Sequence, residues 1–170
     1  WEVCNKVGGI YTVIATKSLY LKSEFNRRHI MVGPDVWMDE VGNPDFIEDP
    51  SLYRAWRNQA AAEGLRVRVG RWNVPGKPTA ILVDFKQFLM QQNEILTTFW
   101  KKFGVDSLTG NWDYRESALF GYAAGRVIES FYNFNLDSSD KVVAQFHEWM
   151  TGTGLLYLKA AEIPVATVFT

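Results

Sequence analysis

The chain has 170 residues, of which 47% are hydrophobic and 22% are charged, and its formal net charge is −1. This length suits one domain of ordinary size, and the apolar fraction is large enough for a buried core. The charge balance excludes the strong bias of a disordered tail and argues against a nucleic-acid partner, which needs clustered Lys and Arg. The longest basic cluster, Arg66, Arg68 and Arg71, alternates with apolar residues and is typical of a strand face.

The predicted elements alternate between helices and short runs rich in β-branched residues. In chain order they are helix 10–24, strand 28–33, helix 52–63, strand 65–72, strand 79–85, helix 86–103, helix 116–132, strand 141–146, helix 151–161 and strand 164–169. This order predicts an α/β fold with a mostly parallel sheet and helices on both faces. Residues 34–50 are predicted to be a loop insertion, and residues 71–78 a turn that joins two strands as a hairpin.

Both ends of the chain look interrupted. Residues 1–3 resemble the tail of a strand whose beginning is absent, and residues 163–170 form a strand with no closing element. We therefore expect residues 1–170 to be one domain of a longer polypeptide. The single cysteine, Cys4, cannot form an internal disulfide, which favours a reducing, cytoplasmic setting. No segment resembles a signal peptide or a membrane span, so no membrane partner is expected.

The first candidate site is the segment Asn5-Lys6-Val7-Gly8-Gly9, where a strand end leads through two glycines into a helix. Glycine lets the backbone approach a ligand closely, and the N–H groups at a helix start attract an anion. Lys6 adds a mobile positive charge. The alternative is a tight turn with a solvated lysine. The dinucleotide and P-loop fingerprints are absent, which weakens an NAD enzyme or a P-loop ATPase.

The second candidate is His147, which follows the apolar run KVVAQF. Ligands of open parallel sheets gather at the carboxyl ends of strands, where a histidine can bind a hydroxyl or phosphate or act as a base. The alternative is a histidine bonded to the backbone. His29 lies at a strand entry, where a structural role is favoured. Two histidines so placed, with one cysteine, do not make a metal site.

The third candidate is the segment from Asp113 to Glu116, just before the helix 116–132. Acidic residues there usually cap a helix and complement its dipole, although a carboxylate could instead face a cleft. Nearby aromatic side chains could stack on a sugar or a base, but packing in the core is the default for each. These aromatic residues are Trp1, Tyr11, Trp112 and Trp149.

Taken together, these segments resemble the glycogen synthases of the animal and fungal type, which also occur in some bacteria. The matching stretches, in family order, are WEVCNKVGGIYTVI (1–14), IMVGP (30–34), VGRW (69–72), SALFGYAAG (117–125), VVAQFHEWMTGTGL (142–155) and VATVFT (165–170). The first and fifth stretches are the most specific. Gln145 stands where many members have histidine. The short loop 34–50 is more similar to that of bacterial members.

The resemblance implies the N-terminal Rossmann-like domain of a two-domain, GT-B-type glycosyltransferase. Such an enzyme transfers glucose from UDP-glucose to the non-reducing end of an α-1,4-glucan, such as glycogen, with retention of configuration and without a metal or other cofactor. Lys6, Gly8 and Gly9 match the loop that meets the donor. His147 matches the histidine near the transferred glucose, and Glu116 falls at an acidic position of the family.

The resemblance also implies that the C-terminal domain is missing, with most of the uridine and diphosphate contacts, so that the isolated fragment is inactive. A homo-oligomer is compatible with it. Two other hypotheses stay open on the residues alone. The chain could be a non-catalytic glucan-binding or scaffold protein of the same fold, or a related glycosyltransferase with another nucleotide-sugar donor.

Overall fold

A four-stranded sheet organises the first part of the chain. The computed structural model describes residues 1–37 and 42–170, which divide into a first unit, Trp1–Asp84, and a second unit, Phe85–Thr170. The elements of the first unit are α1 (Gly9–Phe25), a 3₁₀ turn (Asn26–Arg28), β1 (Ile30–Pro34), β2 (Phe46–Glu48), α2 (Arg54–Ala62), β3 (Val67–Trp72) and β4 (Thr79–Val83). The strand order in the sheet is β1-β4-β3-β2.

This sheet is mixed, so the prediction of a mostly parallel sheet is wrong for it. β1 and β4 are parallel with Ile30 opposite Thr79, whereas β3 is antiparallel to both β4 and β2. The predicted hairpin at residues 71–78 is confirmed by the β3–β4 pairing. A connection this short can join only antiparallel strands, because a parallel pair needs a crossover of about a dozen residues or more. β1 and β4 are separated by β2, α2 and β3, which leaves ample chain for the crossover that a parallel pair requires.

The predicted loop 34–50 contains a strand that the sequence analysis missed. β2 has only three residues and lies between Pro44 and Pro50, so its sequence is too short to show the alternation typical of a strand. Phe46 is buried, and the guanidinium of Arg68 lies over its ring, 5.3 Å from the centroid. Tertiary packing therefore made a strand where local propensity favoured a loop. Residues 38–41 of this predicted loop lie outside the described part of the chain.

The helix stops were predicted better than the helix starts. Gly64 and Gly104 both follow helices with positive φ values of 77° and 69°, which glycine adopts without strain. The helix predicted to begin at residue 52 is preceded by a turn that extends past this residue, in which the Asp49 carboxylate accepts hydrogen bonds from the Ser51 N–H and hydroxyl. α2 begins later, at Arg54, after Tyr53 in the left-handed conformation.

The second unit combines helices with a two-stranded parallel sheet. Its elements are a 3₁₀ helix (Lys86–Gln91), α3 (Gln92–Phe103), α4 (Trp112–Asn135), β5 (Val143–Phe146), a 3₁₀ turn (Trp149–Thr151), α5 (Gly152–Ala160) and β6 (Ala166–Phe169). β5 pairs with β6 in register, with Val143 opposite Ala166. All five predicted strands are thus present, with starts shifted by two residues or fewer.

α4 begins four residues earlier than predicted. The side chain of Asn111 caps the helix by accepting a hydrogen bond from the N–H of Tyr114 at 3.0 Å. The segment from Asp113 to Glu116 therefore lies inside the helix, and the prediction that it precedes the helix is wrong. Asp113 is in the first turn, where its negative charge complements the helix dipole.

Small residues bring α4 and α5 into close contact. A Cβ atom at Gly121 would lie 2.1 Å from the hydroxyl oxygen of Thr153, and one at Gly154 would lie 2.6 Å from the carbonyl oxygen of Gly121. The Thr153 hydroxyl donates a hydrogen bond to the Ala118 carbonyl at 2.7 Å. This contact anchors α5 directly after the segment that holds His147.

Each unit has its own buried cluster. The first includes Val3, Cys4, Ile14, Phe46, Trp72, Ala80 and Leu82. The second includes Ala144, Phe146 and Leu158, so the alternate residues of β5 point inward. None of the helices in the described ranges is long and apolar enough to cross a membrane.

Candidate functional site

The N-terminal segment that leads into α1 is a turn rather than the strand tail predicted from sequence. Cys4 has a φ of 54°, and its carbonyl accepts a hydrogen bond from the side chain of Asn43 at 2.9 Å. Val3 crosses β1 at Gly33, where an added Cβ would lie 2.6 Å from the Val3 carbonyl oxygen. The absence of a side chain at Gly33 thus allows the segment to lie against the sheet.

A buried carboxylate faces the start of α1. Oε2 of Glu2 accepts hydrogen bonds from the backbone N–H of Gly8 at 2.6 Å and of Tyr11 at 3.0 Å. Glu2 is only 4% exposed. The first N–H groups of a helix lack partners within the helix, and a negative charge there is favourable. Glu2 therefore accepts two of the hydrogen bonds that a bound anion would otherwise accept at this helix start.

Lys6 and Gly9 occupy the exposed side of the same loop. The ammonium of Lys6 lies 5.7 Å from the centre of the Tyr11 ring, and this ring contacts Trp72 edge-on at 5.2 Å. Tyr11 packs against the core of the first unit, as the default expectation had it. Burial and a hydrogen bond to Asp45 raise the pKa of the Tyr11 phenol. At Gly9 an added Cβ would meet no atom within 4 Å, so the surrounding space is open.

His147 follows the carboxyl end of β5, as predicted. Its Nδ1 lies 3.0 Å from the hydroxyl oxygen of Thr170, the residue after β6. The same hydroxyl is 3.4 Å from the side-chain nitrogen of Gln145. The carbonyl of His147 accepts a hydrogen bond from the Thr151 hydroxyl at 2.8 Å. The ring and the backbone of this histidine are therefore both held by neighbouring hydroxyl groups.

The turn after His147 is tightly constrained. Glu148 has φ 63° and ψ 168°, a conformation that residues other than glycine rarely adopt. Its N–H donates to the Thr170 carbonyl at 2.8 Å, and the N–H of Thr170 donates to the Phe146 carbonyl at 3.0 Å. The parallel ladder of β5 and β6 thus continues one residue into the turn. Strain of this kind persists only where the surroundings impose it.

Two exposed tryptophans lie on the same unit as His147. Trp149 is 54% exposed and stacks in parallel on the Tyr114 ring at a centroid distance of 6.1 Å, and Trp112 is 55% exposed. Core packing, the default expectation for these two tryptophans, is therefore wrong. Tyr114 is itself held by a 2.6 Å hydrogen bond between its hydroxyl and that of Ser107. Glu116 is half-buried in the second turn of α4.

The basic residues in β3 and just before it form ion pairs or hydrogen bonds with neighbouring side chains. Arg68 forms a salt bridge with Asp35 at the end of β1, Arg66 lies 3.5 Å from Asp84, and Arg71 donates to the Thr79 hydroxyl at 2.8 Å. Arg66 precedes β3, and Arg68 and Arg71 are three residues apart and so lie on opposite faces, which makes the prediction of a single strand face wrong. Within residues 1–37 and 42–170, no group of three or more potential metal ligands is found.

The comparisons with known proteins converge on one family. The family model described as glycogen synthase matches residues 1–170. The chain belongs to the glycogen synthase family. It is 32% identical to a glycogen [starch] synthase of Dictyostelium discoideum and 31% identical to those of Caenorhabditis elegans and mouse liver, over the whole chain in each case. The chain spans 19%, 25% and 24% of the lengths of these relatives, respectively.

Membership of the glycogen synthase family confirms the resemblance stated from the sequence. Within this family member, the predicted donor residues Lys6, Gly8 and Gly9 share one loop of the first unit. His147 and Glu116 belong to the second unit. The roles of all five residues stay predictions.

Two residues beside the predicted site were missed by the sequence analysis. Glu2 is six residues from the glycine that it contacts, and Thr170 follows β6 and is 23 residues from His147, so neither contact is visible in the local sequence. For Glu2 a general signal was nevertheless available, since a carboxylate close before a helix start is a common partner for its N–H groups.

Proposed function

We propose that this chain forms part of a glucosyltransferase that moves glucose from UDP-glucose to the non-reducing end of an α-1,4-glucan with retention of configuration. The observation that carries the proposal is the match of the glycogen synthase family over residues 1–170. The exposed Lys6–Gly9 loop and the anchored His147 are the groups that such a reaction would use. The enzyme would be a cytoplasmic GT-B-type protein in which this Rossmann-like part works with a C-terminal domain.

The donor end of the reaction is assigned to the Gly-Gly loop. As the bond between glucose and UDP breaks, negative charge develops on the diphosphate. A cation placed where charge develops lowers the barrier, and Lys6 on the exposed side of the loop is such a cation. The open space at Gly9 permits close approach of the donor to the backbone.

The glucose end is assigned to His147. The transferred sugar gains positive character as the bond breaks, and its hydroxyl groups must stay fixed while it is attacked. We assign the imidazole of His147, whose Nδ1 lies at the Thr170 hydroxyl, to a glucose hydroxyl. Fixing one ring nitrogen sets the tautomer and orientation of the other. Glu116 is proposed as a further acidic group of this site. Closure of the C-terminal domain over the site would exclude water, so that glucan rather than water accepts the sugar.

The test uses the natural polypeptide that contains these residues. We expect it to transfer labelled glucose from UDP-glucose to glycogen, and to retain the α configuration in the product. Competition among UDP-glucose, ADP-glucose and GDP-mannose measures donor choice, and UDP-glucose should be preferred. A natural polypeptide that transfers no glucose from any of these donors contradicts the proposal.

A non-catalytic glucan-binding role is the second candidate, and the exposed Trp112 and Trp149 favour it. Aromatic rings that are open to solvent suit stacking against the apolar faces of sugar rings. Glucan binding by residues 1–170 alone, with no transfer by the natural polypeptide, would support this candidate. Transfer that survives replacement of both tryptophans by alanine would favour the enzyme.

A further inference from the structure

Glu2 carries a buried carboxyl group that the proposed mechanism leaves unused. It lies at the end of α1 where the sequence analysis expected a bound anion. Both of its described hydrogen bonds end on a single oxygen, Oε2, which the N–H groups of Gly8 and Tyr11 reach at 2.6 and 3.0 Å. The amide of Gly8 is thus committed to Glu2.

The backbone around Glu2 is fixed by contacts on both sides. Val3 lies against Gly33 of β1 so closely that a Cβ there would overlap with its carbonyl, and Asn43 donates to the Cys4 carbonyl. Val3 and Cys4 belong to the buried cluster of the first unit. Glu2 therefore projects from a segment that is packed into the core, and the hydrogen bond from Gly8 to Glu2 closes the loop between residues 2 and 8.

The space next to Gly8 is shaped by the same carboxylate. A Cβ at Gly8 would lie 3.3 Å from Oε1 of Glu2, which is tight, whereas a Cβ at Gly9 would meet no atom within 4 Å. The two glycines of the pair consequently differ. Both glycines are exposed, but a Cβ at Gly8 would face Glu2, whereas a Cβ at Gly9 would face open space.

From these contacts we propose that Glu2 is a positioning residue of the donor loop. It holds Gly8 and Tyr11 so that Gly9 and Lys6 are presented to the nucleotide-sugar diphosphate, and it withdraws the Gly8 amide from direct contact with phosphate. This inference rests on the proposed function of the loop. In this arrangement Gly8 is bonded to Glu2, whereas Lys6 and Gly9 are available to the donor.

The substitutions that test the inference separate hydrogen bonding from charge. Glu2→Gln keeps an oxygen that can accept both N–H groups, because both bonds end on one oxygen. Glu2→Ala removes the acceptor. In the natural polypeptide we expect Glu2→Ala to lower kcat/KM for UDP-glucose at least 30-fold, and Glu2→Gln to stay within about fivefold of the unmodified protein.

A matched control removes the effect of stability. Val69→Ala changes a buried residue of β3 in the same unit. Assays are made at a temperature where Val69→Ala and Glu2→Ala are both fully folded, as checked by thermal unfolding. We expect Val69→Ala to keep kcat/KM within twofold of the unmodified protein despite its lower melting temperature.

Hydrogen exchange provides a readout that does not depend on activity. The amides of Gly8 and Tyr11 should be protected in the unmodified protein and in Glu2→Gln, and should exchange at least tenfold faster in Glu2→Ala. Unchanged exchange in Glu2→Ala would overturn the inference. So would lost protection with kcat/KM equal to that of Val69→Ala, or a Glu2→Gln variant as impaired as Glu2→Ala. Absence of transfer by the unmodified protein would instead overturn the proposed function, while the exchange measurement still tests the hydrogen bonds.

Discussion

The Gly-Gly loop of the first unit and the His147 turn of the second unit are held in place by different means. The loop is bonded to Glu2, whose backbone belongs to a buried segment packed on Gly33. The turn is held by hydroxyl groups of Thr151 and Thr170 and contains a strained residue, Glu148. The loop is therefore held by a residue of the buried core, and the turn is held by residues next to it, including Thr170 just after β6.

Because of this difference, substitutions near the loop and near the turn should have different effects on stability and on activity. Changes behind the loop should disturb the core of the first unit, because Val3 and Cys4 are part of it. Changes in the turn should act mainly on the orientation of one side chain, because His147 is half-buried and both Glu148 and Thr170 are exposed. The predictions below test this contrast, from the largest expected effect to the smallest.

Replacing His147 with alanine should give the largest loss of activity and little loss of stability. If the ring binds the transferred sugar, its removal should cost about 3 kcal/mol of barrier, or roughly 10²-fold in turnover. Glucose transfer by the natural polypeptide measures this loss. Val143→Ala, at an exposed position of β5, the strand that precedes His147, is the control and should remain near normal. Near-normal turnover of His147→Ala would remove the role assigned to it.

Replacing Gly33 with alanine should destabilise the first unit. The new Cβ would overlap the Val3 carbonyl, and forced overpacking costs about 1–3 kcal/mol. Gly9→Ala is the matched control, since its Cβ meets no atom and alanine is favourable in a helix. Chemical denaturation should show a lower free energy of unfolding for Gly33→Ala only. Gly9→Ala should instead raise KM for UDP-glucose, and equal stability losses in the two variants would contradict the contrast.

Removing the Thr170 hydroxyl should loosen the histidine without unfolding the turn. Thr170→Val keeps the shape but loses the hydrogen bond to His147 Nδ1, which is worth about 1 kcal/mol. We expect turnover to fall about fivefold. Thr170→Ser retains a hydroxyl and should recover most of it. If Thr170→Ser and Thr170→Val are equally active, the hydroxyl does not orient the ring.

Replacing Glu148 with glycine should relieve backbone strain. The observed φ of 63° with ψ 168° costs a residue with a side chain about 1–3 kcal/mol, and glycine avoids this cost. Part of the gain is offset by the greater freedom of glycine in the unfolded chain, so about 1 kcal/mol of added stability is expected. Glu148→Ala keeps the strain and should show no gain in thermal unfolding. A gain in both variants would locate the effect in the carboxylate instead of the backbone.

The smallest effect is expected at Cys4. Burial raises the pKa of its thiol, so the reactive thiolate is scarce at neutral pH. Alkylation by iodoacetamide should therefore be much slower in the native protein than after denaturation, with mass spectrometry as the measure. Rapid native labelling would show that the segment at residues 1–4 separates from β1.

The features predicted well are those with a local physical cause. Apolar β-branched runs marked five strands, and the glycines after α2 and α3 marked two helix ends, because a positive φ at these positions is a backbone requirement. The features predicted poorly depended on partners distant in sequence. β2 exists because it pairs with β3. The late start of α2 is the exception, because its cause is the local hydrogen bond between Asp49 and Ser51.

The sequence by itself determined the element order, the family and the residues from which a site could be made. Its motifs placed Lys6, Gly8, Gly9 and His147 at the ends of secondary-structure elements, where side chains and amides are accessible. Only the tertiary structure decided that the sheet is mixed, that Glu2 bonds to the Gly8 amide and that Thr170 meets His147. Those outcomes depend on which distant segments pack together. Such packing depends on the burial of many side chains at once, so it cannot be predicted from a local sequence pattern.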